Sequence, residues 1–480
     1  MENSITKTEH RSVASDMPIR PGLGICVIIV TTLLAVFLVP ENPEPAGVLF
    51  WPGAVMTLGL LAIPVATFLQ YPKSILRGEH LLVLAPIYWL LLDPLQGAYD
   101  LEQIWDRTVK LSLIAIGVFT LGVWLASAHR PWRLPSIVTR SVAYEFQVNA
   151  LFVVILSAFC LGILRFAIPC NFNPVEMVHY LGEGRWDAPW TREQLGGWDS
   201  FRDVLQYFGY LLPVLTVLLA GKTGWFDFRT IVSLILSIIM ASFLAQEGGR
   251  RIIGAIVGMG LVLWVIKQKR FRPSVLVMAG LCVAGLLFIM QTMLDLRNEG
   301  LAVALDKSSE TEKHEYLHID DNFLRLCQII QIIPREHPHV YLRYPLFIFV
   351  RPIPRILWEG KPVDPGFDLP EFLGIPGVSL SMSVVGEFYL AGGLIAVLLG
   401  GWFYGRVAGM AFSLLTGSST PETYVVYSIF VMSLFVGMRS MLDLVLINYV
   451  VVAWILLCRV LGGRKQGRLL TRSTTKPLPT

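Results

Sequence analysis

Apolar residues in this chain do not alternate with polar ones; they run together. Runs long enough to enter a bilayer cover 21–39, 48–69, 80–96, 110–128, 148–167, 204–221, 229–246, 252–267, 274–294, 384–404, 424–438 and 441–460. A transmembrane helix needs about 20 apolar residues, whereas a barrel strand alternates lipid-facing and lumen-facing positions. The pattern predicts an all-α polytopic membrane protein of about twelve transmembrane helices and excludes a barrel. The runs at 252–267 and 424–438 are short for a full crossing. The organisation that follows is a polar tail at 1–20, nine helices over 21–294 with a loop at 168–203, and a large polar loop at 295–383. Three helices over 384–461 and a basic tail at 462–480 complete it.

The sidedness of charge orients these helices. With the N-terminus placed inside, Lys73, Arg77, Arg130, Arg133, Lys222, Lys267, Lys269, Arg270, Arg272 and the basic tail from Arg459 all fall inside, and most acidic residues fall outside. By the positive-inside rule both termini are expected in the cytoplasm. The first run ends in Val39-Pro40-Glu41 without a small-residue cleavage pattern, so it is expected to be a retained helix. Composition agrees: 54% of the 480 residues are hydrophobic and only 15% charged, against about 25% charged in soluble domains. The mean hydropathy of +0.61 excludes a soluble globular protein. Nothing in the charge pattern supports nucleic-acid binding. Cys26, Cys160, Cys282 and Cys458 lie in apolar runs, whereas Cys170 and Cys327 lie in outer loops where a disulfide is chemically open.

Candidate chemistry concentrates at the outer face. Loop 168–203 carries Trp186, Trp190 and Trp198, which either form an interfacial belt or bind a sugar. In the larger loop, Asp320-Asp321-Asn322 is expected to cap a helix over 323–333 that Pro334 stops. The segment 344–358 is apolar but interrupted by Pro345, Pro352 and Pro354. It is expected to lie along the outer interface and deliver Arg351 and Arg355 to headgroup depth, with Arg335, Arg343 and Lys361 close in sequence. Arg250 and Arg251 open the run at 252–267, where a helix N-terminus and two guanidiniums suit a diphosphate. The alternative is that they snorkel to lipid headgroups. The histidines are expected outside the spans, which leaves no imidazole for an intramembrane haem or copper. Arg165 and Glu387 stand near the outer ends of their runs, and the lack of midplane ionisable groups disfavours a coupled transporter. No CxxC, HExxH or P-loop motif occurs, and neither a metal site nor a cofactor is expected.

The run Ile353-Pro354-Arg355, with Trp358, Lys361-Pro362, Ser381, Ser383, Gly386-Glu387, Tyr389 and Gly392-Gly393, resembles the bacterial O-antigen polymerases, the Wzy-type polymerases of oligosaccharide repeat units. The Arg250–Arg251 turn matches too, as a doublet where the family needs one arginine. The resemblance covers roughly 245–400. It implies a metal-independent membrane glycosyltransferase of the GT-C type in the bacterial inner membrane, with its active face periplasmic. Such an enzyme moves a glycan from undecaprenyl diphosphate to the non-reducing end of another lipid-linked repeat unit, for O-antigen or exopolysaccharide. The implied partners are undecaprenyl-diphosphate-linked oligosaccharides, membrane lipids and a polysaccharide chain-length regulator. Arg250, Arg251, Arg343, Arg351, Arg355 and Lys361 would then bind the diphosphate, since guanidinium groups pair bidentately with phosphate oxygens. Glu387 would be the general base for the acceptor hydroxyl, with a structural hydrogen bond or ion pair as its alternative role. The rivals are an O-antigen ligase and a lipid-linked oligosaccharide flippase or other transporter. The ligase pattern has a histidine shortly before the stretch at Glu387, where this chain has Ser379–Ser383 and no histidine after His339. A scaffold without chemistry is the third alternative.

Overall fold

The computed structural model describes residues 17–142, 145–184, 186–191, 199–247, 249–268, 272–295, 316–351, 353, 357–362, 364–375, 380–417 and 420–462. Among the described residues there are helices and no strands. In chain order they are α1 (Pro21–Phe37), α2 (Phe50–Gln70), α3 (Gly78–Pro86), α4 (Leu92–Gln96), α5 (Asp106–Ser127), α6 (Ser136–Val142) and α7 (Val148–Ala167). Then come α8 (Pro174–Leu181), α9 (Asp199–Gly209), α10 (Leu212–Thr223), α11 (Phe228–Gln246), α12 (Arg250–Ile266) and α13 (Pro273–Asp295). The last six are α14 (Asn322–Ile332), α15 (Arg343–Val350), α16 (Leu369–Phe372), α17 (Ser383–Gly417), α18 (Pro421–Val436) and α19 (Met441–Gly462). Every apolar run falls on helix. By length and composition, eight helical stretches among the described residues can cross a membrane, with α9 and α10 joined as Phe201–Thr223; α1 and α18 are shorter apolar helices. The protein is a polytopic helical membrane protein.

Local chemistry explains the irregular helices. Between α3 and α4 the chain passes through a π-helical turn at Ile87–Leu91, flanked by Pro86 and Pro94, whose missing N–H groups interrupt the regular ladder. Within α17 the backbone leaves helical geometry at Gly392 and Gly393, and Gly393 adopts φ 65°, a conformation that glycine reaches without strain. The Val340 N–H donates to the Leu390 carbonyl at 3.1 Å, so the large loop supplies a partner beside the break.

The core of the bundle is the α5–α17 contact. Gly401 makes it close: a Cβ there would lie 2.0 Å from the Phe119 carbonyl oxygen, and one at Gly405 would lie 2.8 Å from that of Val123. In lipid, where apolar side chains gain little by leaving one membrane face for another, small residues of this spacing let backbones approach and pack. Helix α14 is docked on the same pair. Phe323, Leu326, Cys327 and Ile329 are buried, and Gln331 accepts from Trp105 N–H and Thr108 Oγ1, each at 3.2 Å. The large loop is thus stitched into the bundle.

Two expectations need correction, and one open question closes. The helix at 323–333 is present, but Asp321 at its N-terminus turns to φ 52° and makes no side-chain cap; its carboxylate lies 3.6 Å from Arg325 instead. His80 stands at the first position of the run 80–96, inside α3, fully buried with Nδ1 2.8 Å from the Ser74 carbonyl. Cys170 and Cys327 are both buried and both free thiols.

Among the described residues the charged contacts gather near the ends of the helices. At one end Lys222 meets Glu422 at 2.8 Å and the Phe146 carbonyl at 2.8 Å, Arg229 meets Asn149 at 2.7 Å, and Arg77 meets Glu79 at 2.8 Å. The other end carries residues 316–362, and the arginines of interest gather there.

Candidate functional site: an arginine–carboxylate chain beside a cavity

At the loop-bearing end, α12 begins directly behind Gly249, and its first two residues point to different partners. Arg250 donates to the His318 carbonyl at 2.9 Å and the Ile319 carbonyl at 2.8 Å, and reaches Asp320 Oδ1 at 3.4 Å. Asp320 also pairs with Arg439, in the turn between α18 and α19. Arg439 meets Asp443 at 3.1 Å, and Asp443 meets Arg251 Nε at 3.1 Å. The result is an unbroken chain of alternating charge: Arg250, Asp320, Arg439, Asp443, Arg251. Burial by itself pushes the Asp320 carboxyl up, but Arg439 and then Arg250 and Arg251 outweigh it, and the net effect holds it below its ordinary range.

A second ionic group stands beside the first. Arg165, at the end of α7, pairs with Glu247 at the end of α11 and lies 3.3 Å from Asp203 of α9. Between the two groups is a cavity of about 330 Å³. Arg165, Glu247, Arg251 and Asp443 form its charged wall, and Trp186, Trp190, Gln206, Tyr207 and Tyr210 line it as well. Trp190 is fully buried, with its indole N–H on Gln246 at 2.8 Å, whereas Trp186 is 65% exposed. Arg251 is 38% exposed at its side chain, and among the described residues its terminal Nη groups make no hydrogen bond.

The turn that carries Arg439 is held by Ser381 and Glu387. Ser381 Oγ donates to the Arg439 carbonyl at 2.6 Å. Glu387, at the start of α17, accepts from Ser440 Oγ at 2.7 Å, from Met441 N–H at 2.7 Å and from the Tyr344 hydroxyl at 3.2 Å. Burial lifts the Tyr344 phenol well above its ordinary value, which keeps it a donor. Glu387 is 2% exposed and is not on the cavity wall. It joins α15, α17 and the entry to α19.

The arginines expected at a diphosphate are therefore distributed. Arg251 lines the cavity, and Arg250 is occupied with the backbone of residues 318–319. Arg343 pairs with Asp364. Lys361 Nζ donates to the carbonyls of Arg351 at 2.8 Å and Ile353 at 2.5 Å. Arg351 is exposed at the end of α15, its guanidinium 5.7 Å from the centre of the Phe347 ring, without an acidic partner among the described residues. Arg355 and Trp198 lie outside the described residues. Sequence reading missed Arg439 and Asp443, although an Arg and an Asp four residues apart at the mouth of the last span were a readable signal. Against protein-family models, curated proteins and solved structures, the chain gives no match.

Proposed function

We propose that this chain is a membrane-embedded polymerase of lipid-linked oligosaccharide repeat units, a GT-C-type glycosyltransferase with twelve spans and both termini in the cytoplasm. In this reading the loop-bearing end faces the periplasm of a bacterial inner membrane. The observation that supports it is the pairing, at one end of an otherwise apolar bundle, of an arginine–carboxylate chain with a cavity walled by aromatic residues.

The reaction assigns work to both. The acceptor hydroxyl oxygen attacks the anomeric carbon of the donor glycan, the bond from that carbon to diphosphate breaks, and undecaprenyl diphosphate leaves with the electron pair. Its developing charge needs positioned cations, and a guanidinium fork suits phosphate oxygens. Arg351, exposed at the end of α15, is the proposed residue for that role, with Arg355 and Lys361 following it in sequence. Arg250 holds residues 318–320 against α12, and Arg251 offers its open fork to the cavity. The acceptor proton goes to a carboxylate. Glu247 and Asp443 line the cavity, while Glu387 acts through the Arg439–Ser440 turn as a positioning residue. A chain-length regulator is the expected protein partner.

One observation favours the ligase reading. His339 packs against the break in α17, where a Cβ at Gly393 would lie 3.5 Å from it, and its ring centre is 6.1 Å from that of Tyr389. A histidine thus accompanies the stretch after Glu387 in space though not in sequence. Analysis of lipid-linked glycans in cells lacking the chain separates the alternatives. A polymerase leaves single repeat units on the outer face, a ligase leaves full-length lipid-linked polymer, and a flippase leaves units on the inner face. Restored chain-length ladders on return of the wild-type chain complete the expected result; either of the other two products overturns it.

A further inference from the structure

The cavity between Arg165 and Arg251 is balanced in charge. Its wall holds two guanidiniums and two carboxylates, Glu247 and Asp443, each engaged with an arginine. A diphosphate would bring at least two negative charges to a wall whose cations are already neutralised, and the two carboxylates would repel it at short range. A pyranose makes different demands. It needs acceptors and donors for hydroxyls around its rim and an apolar plate under its C–H face. Glu247 and Asp443 accept, the open Nη groups of Arg251 and the amide of Gln206 donate, and the exposed indole of Trp186 supplies the plate.

We infer that this cavity is a subsite for an uncharged sugar ring of the repeat unit, stacked on Trp186, and that the diphosphate is held elsewhere. The inference deepens the polymerase reading and rests on it for the claim that the bound sugar is a reactant. It also fixes a selectivity: a uronate ring, with one more negative charge, is excluded.

The test uses the full-length chain in lipid nanodiscs and saturation-transfer NMR. The probes are methyl glycosides of glucose, galactose, mannose and N-acetylglucosamine, with methyl glucuronide as the charged member. At least one neutral glycoside should bind, and the glucuronide at least tenfold more weakly. Trp186→Ala should weaken binding about tenfold, which corresponds to ~1.4 kcal/mol. Trp186→Phe should keep most of it, and Trp105→Ala, away from the cavity, should keep all. Because Trp186 is largely exposed, its replacement leaves the core untouched. The inference is overturned by the absence of binding across the panel, by equal binding of the glucuronide, or by unchanged binding in Trp186→Ala. Its failure is distinct from that of the polymerase reading. Sugar binding by a chain whose loss leaves glycan ladders intact would keep the subsite and remove the polymerase, and the converse would do the reverse.

Discussion

Arg439 stands between Asp320 and Asp443 with little of its side chain exposed. Removing one member of a buried pair leaves the others as uncompensated charge, at about 3–5 kcal/mol. Arg439→Met should lower the thermal transition of the detergent-solubilised protein accordingly, and Arg439→Met with Asp320→Asn and Asp443→Asn should recover much of the loss. A triple variant no more stable than the single one would remove the ionic account. The pH dependence follows from Asp320, whose folded-state pKa lies below its unfolded value. Its contribution is complete above the ordinary aspartate pKa of about 3.9 and is lost as pH falls through the lower, folded-state value. Thermal transitions should therefore stay flat in this contribution from pH 7 to 5 and fall only in stronger acid, a fall that Asp320→Asn removes. At this scale Arg250 and Glu387 were legible as unusual residues. Their partners were not, because Arg250 bonds backbone carbonyls 68 and 69 residues away and Glu387 bonds a turn more than 50 residues on.

Helices were the most legible level. Continuous apolarity located α1, α2, α7, α11 and α13 because lipid demands it along the whole crossing. What apolarity does not encode is which helices touch. The α5–α17 contact depends on glycines whose absent side chains carry no hydropathy signal, and the expected cap failed because Asp320 is taken by Arg250 and Arg439 from other elements and Asp321 by Arg325 one turn on. Gly401→Ala places a methyl group against the Phe119 carbonyl and should sharply reduce folded yield and thermal stability. Gly280→Ala on α13, where nothing lies within 4 Å, should be neutral or mildly stabilising through helix propensity. Equal behaviour of the two variants in a thermal-shift and yield comparison would contradict this packing.

At the scale of the whole molecule, the ion pairs lie near the ends of apolar helices, and the proposed reading puts those ends on opposite faces of the membrane. A cysteine placed at Trp186 should react with an impermeant thiol reagent applied to the proposed outer face, and one at Lys465 should not; reactivity at 465 from that face would invert the orientation. The most direct measurement of the central claim is a reaction of the purified chain, in nanodiscs, with lipid-linked repeat units and excess chelator, followed by chain length and release of undecaprenyl diphosphate. The account predicts a ladder of lipid-linked glycans that lengthens as undecaprenyl diphosphate appears, and strong impairment with Arg351→Lys, whose ammonium cannot reproduce the guanidinium fork. Repeat units that remain single under these conditions, or that lengthen only when a divalent ion is restored, would contradict it.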